Sequence, residues 1–522
     1  MLQGVKMNII TDWLRKIKIQ YKYGFFSTLI FGLISHGMGL FTKFSMDDDL
    51  QYFFFHNENP LWAGRWAQYF LIRAEKWIFG DGNYSLPIIN GGISIICIGI
   101  VVCLLIDLFD IKSEIFCIIL GGLFISIPSV THMFGDMYVS HFFSLSLLLS
   151  VLGPYVILKK EKWFYIFFGI ILMVLSTAIY QAYIPVMIST FLFAFIKLFY
   201  DTNTKHQRVT LYKKVAVVLI SCSLLICIYL ITTKMINKYF NVTLTDYKNI
   251  SEMGKLPLIV YVQRVIIAYR EFFIPSRNRI FDFYPGRIRI INFILTFLLF
   301  FLFIVLFYSE KKKSVKNLIL FFLVMLIPFT VNFIYIMVDY SSCYMMMVYS
   351  KVMFFIIFIW VFEKTIATFQ SVFARCMKGL CIGVLAMIVL MYCRYDNICY
   401  LQIRLLQTQA TRYFTTLITR IQSIEKYDSW KYVSYIGKPD PARNDNSIEP
   451  IPELDNIMFF PYWGLKTTLQ GPWKEYMKIW CGYSAHEVDQ SYFIDRPEVQ
   501  AMPHYPAEGS IKVIDDIVVV KF

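Results

Sequence analysis

Long apolar runs separated by short charged connections set the rhythm of this chain. Each run is close to the roughly 20 residues that cross a bilayer as a helix. They predict eleven membrane helices, over 24–42, 86–108, 114–130, 139–158, 163–181, 183–199, 215–233, 289–308, 317–337, 346–366 and 379–395. The first run reads as a retained span rather than a cleaved signal, because it is long, has no small-residue cleavage site and is followed by further spans. After residue 395 the pattern changes. A helical stretch is expected at 401–425, and "KYVSYIG" and "IKVIDDIVVVKF" alternate or are β-branched. The last of these predicts a hairpin turning at Asp515–Asp516. Residues 396–522 therefore read as a small soluble α/β domain, joined to a membrane domain at 24–395 and a short N-terminal segment at 1–23.

Charge then orients the helices. Basic clusters precede the first span (Arg15, Lys16, Lys18, Lys22) and follow the fourth (Lys159, Lys160, Lys162) and the sixth (Lys205, Arg208, Lys213, Lys214). Others follow the eighth (Lys311, Lys312, Lys313, Lys316) and the tenth (Arg375, Lys378). With eleven spans all of these fall on the side of the N-terminus, which the positive-inside rule makes cytoplasmic. The loops 43–85 and 234–288 and the C-terminal segment then lie outside. That segment holds 16 acidic and 13 basic residues, against 20 acidic and 37 basic in the rest of the chain.

Composition adds little to this picture. Of 522 residues, 57% are hydrophobic and 16% charged, where a soluble domain carries about 25% charged residues. The net charge of +14 belongs to cytoplasmic loops, and no zinc-finger or phosphate-loop signature points to nucleic acid. Most of the 11 cysteines sit in apolar runs, where they act as small hydrophobes. Cys399 and Cys481 both fall outside and can pair or remain thiols.

Two stretches after the first span carry candidate chemistry. In "FSMDDDLQYF" Asp47, Asp48 and Asp49 stand in a row. The plain reading is a solvated charge run that stops a helix. Three adjacent carboxylates repel, however, and one pKa should rise unless cations compensate. A carboxylate held at the membrane surface can accept the proton of a sugar hydroxyl attacking a lipid-linked donor. In "AGRWAQYFLIRAEKWIF" (63–79), Ala63, Trp66, Ala67, Phe70, Leu71, Ala74, Trp77 and Ile78 recur on one side, with Arg65, Gln68, Glu75 and Lys76 on the other. This predicts an interfacial helix with its charges toward water. Arg65 shares the loop with the aspartates, and its guanidinium can pair with a carboxylate or grip a phosphate.

These features resemble the membrane-embedded C-type glycosyltransferases, in which an acidic pair or triplet follows the first membrane helix and an interfacial helix comes next. The form is closer still to the serotype-converting O-antigen glucosyltransferases. "MDDDLQ" with "AGRW" is similar to the acidic cluster and Gly-Arg-Trp of that group. "STAIYQAYIP" (176–185) resembles its Tyr-Gln element, and "MPHYPAEGSIKVIDDIVVVKF" its C-terminal Pro-rich turn and hairpin. The resemblance implies inverting glucosyl transfer from a polyprenyl-phosphate donor to a sugar of a lipid-linked or growing polysaccharide, outside the bacterial cytoplasmic membrane. It carries the base role to Asp47 or Asp48, with Asp49 in support, and draws Arg65, Trp66, Tyr180 and Gln181 into substrate binding. No cofactor is required by the resemblance. Two carboxylates can share a divalent cation, so metal stays unassigned.

Three further residues are candidates for substrate binding. Asp136, in "SVTHMFGDMYVSH" (129–141), is marked by analogy with a second acidic residue of this fold, or else caps the fourth helix. His132 and His141 in the same stretch read as ordinary loop histidines. Arg264 and Arg270, on a second interfacial helix within "LPLIVYVQRVIIAYREFF", either belong to a solvated basic loop or bind the donor phosphate, an anion that suits the guanidinium fork. Two rival readings remain. An O-antigen polymerase shares the arginine-rich outer loop but not the acidic triplet. A lipid-linked-sugar flippase predicts charge near the bilayer midplane, where these spans show little beyond His36.

Overall fold

A computed structural model describes residues 17–44, 49–50, 60–80, 85–202, 204–245, 256–275, 288–309, 315–369, 372–424, 431–439 and 472–522. Asp47 and Asp48 lie outside these residues, as do Arg277, Arg279 and Arg287. The chain folds into two compact units. The first comprises Met1–Thr42 and Glu58–Asn397, the second Lys43–Asn57 and Ile398–Phe522.

The first unit is helical. α1 (Ile19–Phe41) packs along α3 (Pro87–Phe109) and α4 (Glu114–Ser126). Small residues allow the approach of α1 to α4: a Cβ on Gly121 would stand 2.6 Å from the Gly24 carbonyl oxygen, the kind of contact that brings membrane helices together in lipid. α2 (Trp66–Phe79) lies between α1 and α3 in the chain. The expected loop at 129–141 is instead helical. α5 (Pro128–Gly135) follows α4 after one extended residue, and α6 (Met137–Lys159) starts directly beyond Asp136. Pro128 opens α5 without losing a bond, because the first N–H of a helix has no partner within it. His132 and His141 are therefore buried helix residues rather than loop residues.

α7 (Trp163–Ile179) and α8 (Ile184–Asp201) are joined by a buried 3-10 turn, Gln181–Tyr183. α9 (Lys205–Tyr239) runs well past both ends of the expected 215–233 span, and its start carries a Thr204/Gln207 capping box. α10 (Leu258–Phe273) and α11 (Ile288–Ser309) follow. The expected single helix at 317–337 is broken into α12 (Val315–Met325), α13 (Ile327–Val331) and α14 (Ile334–Met337). Pro328 removes a backbone donor there. Asn332, where α13 ends, donates its Nδ2 to the Ala268 carbonyl on α10 at 2.7 Å. A 3-10 stretch, Met345–Val352, leads into the buried α15 (Met353–Ala367).

α16 (Val372–Gln422) is one helix of 51 residues. The expected pattern ended a span at 395 and began a separate helix at 401. The charges at Arg394 and Asp396 end the apolar run, but neither Gly nor Pro occurs between 384 and 436 to end the helix. Among the described residues, nine helices are long and apolar enough to cross a membrane, and two shorter apolar helices lie at Trp163–Ile179 and Lys316–Val331. This is a membrane protein.

The second unit holds a four-stranded sheet. β1 (Tyr432–Ile436) pairs in parallel with β2 (His486–Glu487) and with β4 (Ile517–Lys521). β3 (Ile511–Ile514) and β4 form the expected hairpin, with Ile514 opposite Ile517. Asp515 and Asp516 both have positive φ, 50° and 61°, the backbone that a two-residue hairpin turn needs and that aspartate tolerates. Ile436, Phe493, Val499, Met502, Ile514 and Val519 form the core beneath the sheet. α17 (Trp473–Trp480) and α18 (Pro497–Gln500) complete the unit. Cys399 and Cys481 are free thiols, like the other nine cysteines.

Candidate active site

In the first unit the Gly-Arg-Trp and Tyr-Gln elements meet. Residues Pro60–Ala63 form one 3-10 turn, closed by Gly64 N–H to the Leu61 carbonyl at 2.9 Å. Gly64 then takes φ +73° and sends the chain into α2. Three side chains hold this turn from outside. Gln181 donates its Nε2 to the Ala63 carbonyl at 2.8 Å and to the Tyr229 hydroxyl at 2.9 Å. The Tyr229 hydroxyl donates to the Gly64 carbonyl at 3.2 Å. Asn237 donates to the Leu61 carbonyl at 3.1 Å. Both Tyr229 and Asn237 come from α9, Asn237 from beyond the end of the expected apolar span.

Arg65 emerges from the turn against aromatic rings. Its guanidinium lies 4.9 Å from the Tyr180 ring centre and 5.9 Å from that of Phe143, and its Nε donates to Gln181 Oε1 at 3.4 Å. Phe143 and Tyr180 stack on each other at 4.2 Å. Stacking on aromatic faces leaves a planar guanidinium with N–H groups at its edge for an anion. Trp66, next along, is half-buried, and its indole N–H has no hydrogen-bond partner among the described residues. Arg65, Trp66, Tyr180 and Gln181 thus share one place, and the conformation of the turn depends on Gln181. Gln181→Leu is expected to lower stability by about 1–3 kcal/mol, because two buried groups lose their partner. Thermal unfolding of the detergent-solubilised protein measures this, and an unchanged midpoint would mean that Gln181 does not hold the turn.

α2 is amphipathic as expected, and its buried side is mixed rather than charged. Gln68 and Ile72 are buried, while Phe70, Trp77, Ile78 and Phe79 are exposed. Glu75 bonds to His141 on α6 at 3.1 Å. The side turned to protein is Ala67, Gln68, Tyr69 and Ile72, and Arg73 is exposed along with the apolar residues.

The other sequence candidates sit on different elements. Asp136 is half-buried at the single-residue joint between α5 and α6 and makes no side-chain cap to α6. Arg264 is buried on α10, with a guanidinium N–H on the Ile336 carbonyl at 2.9 Å. Arg270, half-exposed, pairs with Glu271 at 3.0 Å and lies over the Tyr340 ring.

In the second unit the described member of the acidic row is Asp49. Its side chain is fully buried and forms an ion pair with Lys43. The same ammonium donates to the Phe44 carbonyl at 2.7 Å, and the Phe44 ring stacks on Tyr400. Burial lowers the Lys43 pKa from the ordinary lysine value, and the Asp49 carboxylate opposes that shift. Lys43 and Asp49 therefore tie together the two ends of the segment that contains Asp47 and Asp48. Among the described residues, no three His, Cys, Asp or Glu side chains cluster as a metal site.

Sequence reasoning passed over several buried polar residues. Asp396 on α16 is fully buried and accepts from Thr131 at 2.6 Å. Lys351 and Glu271 are buried beside Asn292, Asn332 and Thr296. A single lysine in "VYSKVMFF" was the available signal, since ionisable side chains within apolar runs are rare and expensive. His36 bonds to the Ile125 carbonyl at 2.8 Å, which makes it a packed polar residue.

The family described as glucosyl transferase GtrII matches residues 37–355. That stretch contains the acidic row, the Gly-Arg-Trp turn and the Tyr-Gln element, and stops short of α16 and the sheet. No curated protein and no solved structure matches the chain. The match spans more than half of the sequence, and the chain belongs to the GtrII glucosyl transferase family.

Proposed function

We propose that this protein transfers glucose, with inversion, from a polyprenyl-phosphate donor to a sugar of O-antigen or a related surface polysaccharide. The observation that carries the reading is the family match across the acidic row and both halves of the Arg65 assembly. In the reaction an acceptor hydroxyl attacks the anomeric carbon of the donor glucose. Asp47 or Asp48 takes the hydroxyl proton as the new C–O bond forms. The old bond to the phosphate oxygen breaks on the opposite face, and its electron pair leaves with polyprenyl phosphate. A single displacement of this kind inverts the anomeric centre. The departing phosphate needs positive charge or N–H donors, a role that suits Arg65, with Arg270 as a further candidate. Asp49, paired with Lys43, supports the loop. A divalent cation on Asp47 and Asp48 is compatible with this chemistry, and chelation tests for it.

Eleven crossings result when the nine long apolar helices and the two shorter apolar stretches among the described residues all cross, which is the count this reading takes. With the N-terminus in the cytoplasm, the acidic row and the C-terminal unit then face the periplasm, where a polyprenyl-linked donor is presented.

Expression in a bacterium that holds a polyprenyl-phosphate-glucose pool tests the reading. Mass spectrometry of the surface polysaccharide is expected to show an added hexose that depends on this chain. Unchanged polysaccharide at confirmed membrane expression would refute it, and a change in chain length in place of added hexose would favour a polymerase.

A further inference from the structure

The second unit contains a cleft that lies outside the family match. It has a volume of about 160 Å³ and is lined by Tyr435, Met477, Tyr483, Ser484 and Ala485, with Lys474, Lys478, Glu475 and Glu487 also bordering it. Tyr435 and Tyr483 are buried, and the Tyr435 ring is braced edge-on by Trp473 at 4.8 Å and stacked on Phe522 at 6.0 Å. These contacts fix the cleft wall before any ligand arrives, which lowers the ordering cost of binding. Lys474 is held by an ion pair to Glu487 and lies over the Tyr435 and Trp473 rings. Burial pushes the Tyr483 hydroxyl up to about 12, against its hydrogen bond to Tyr435, so it stays a neutral hydroxyl.

The chemistry of this lining is specific. Two ammonium groups and two carboxylates place both donors and acceptors at the cleft, with no net charge. The Tyr and Met side chains add an apolar surface between them. A phosphate or an acidic sugar would meet the two carboxylates as well as the two lysines. A neutral sugar ring needs both kinds of partner, since each hydroxyl donates and accepts, and its C–H face packs on an apolar wall. A few convergent polar groups in a largely preformed cleft are the usual form of a small-ligand site.

We infer that this cleft is a carbohydrate-binding subsite, which takes a neutral sugar unit of the polysaccharide acceptor. The identity of the ligand rests on the transferase reading above, while binding of carbohydrate can be measured without any transfer. The probe is delipidated O-polysaccharide, immobilised, with the full-length protein in nanodiscs and no donor present. Ser484→Trp fills the cleft from an exposed position, and Lys478→Ala removes one bordering charge; Lys512→Ala on β3 is the control away from it.

Wild type and Lys512→Ala are expected to bind alike, with Ser484→Trp at least about tenfold weaker and Lys478→Ala also weakened. Circular dichroism confirms that each variant is folded. If Ser484→Trp and Lys478→Ala both bind like wild type, the cleft is not the sugar site. If wild type fails to bind the polysaccharide yet adds hexose in cells, the inference fails and the transferase reading stands. If binding is lost through Ser484→Trp but cells show no added hexose, the subsite stands and the transferase reading fails.

Discussion

Asp47→Asn or Asp48→Asn, whichever removes the base, is expected to lower glucosyl transfer by about 10²–10⁴-fold, the usual contribution of a positioned proton acceptor. Asparagine keeps the shape and removes the basicity, so membrane levels should hold while transfer collapses. Asp49→Asn is expected to behave differently. Its carboxylate is committed to Lys43, and breaking a mostly buried pair leaves a charge without its partner. The loss should appear first as a lower unfolding temperature. Replacing both partners with apolar residues of similar size, Lys43→Met with Asp49→Leu, is expected to recover much of that stability, because a buried pair often contributes little beyond an apolar isostere. Transfer assays at matched protein levels separate the two roles. If Asp49→Asn alone abolishes transfer at unchanged stability, while Asp47→Asn and Asp48→Asn are active, the base has been assigned to the wrong residue.

Gly64→Ala should be the most damaging single change in the Arg65 assembly. Gly64 sits at φ +73°, where an L-residue costs about 1–2 kcal/mol. A Cβ there would also stand 2.7 Å from the Tyr229 hydroxyl oxygen. Tyr229 then has to move, and its bonds to the Gly64 carbonyl and to Gln181 go with it. A loss of about 2–4 kcal/mol in stability is expected, in the upper range for point changes with a named structural cause. Tyr229→Phe in the Gly64→Ala background relieves the contact. The two changes should therefore cost less together than the sum of each alone. Strict additivity in thermal unfolding would show that the two residues do not press on each other.

The apolar runs predicted where helices form, because burial in lipid leaves a helix no other way to satisfy its backbone. The hairpin was equally plain, since alternating β-branched residues flank two aspartates. Helix ends were harder to read. The Asp396 region looked like an exit from the membrane, yet neither Gly nor Pro occurs there to end the helix. At 129–141 the polar residues suggested a loop, whereas Ser129, Thr131 and His132 are buried on a helix. The periodicity of α2 gave its two faces but not which neighbour each would meet. The Tyr-Gln element was visible as a motif, while its partnership with the Gly-Arg-Trp turn is made by Gln181 across 118 residues of chain, to the Ala63 carbonyl. No local pattern encodes such a contact.

The most direct measurement uses the purified protein in proteoliposomes, with lipid-linked polysaccharide as acceptor and either polyprenyl-phosphate-glucose or a sugar nucleotide as donor. The account predicts that mass spectrometry will detect an added hexose with the polyprenyl donor, in the inverted anomeric configuration. It predicts none with the nucleotide donor and none with the inactive Asp47→Asn or Asp48→Asn variant. Transfer from the nucleotide donor alone, or a product that retains the donor's configuration, would contradict it.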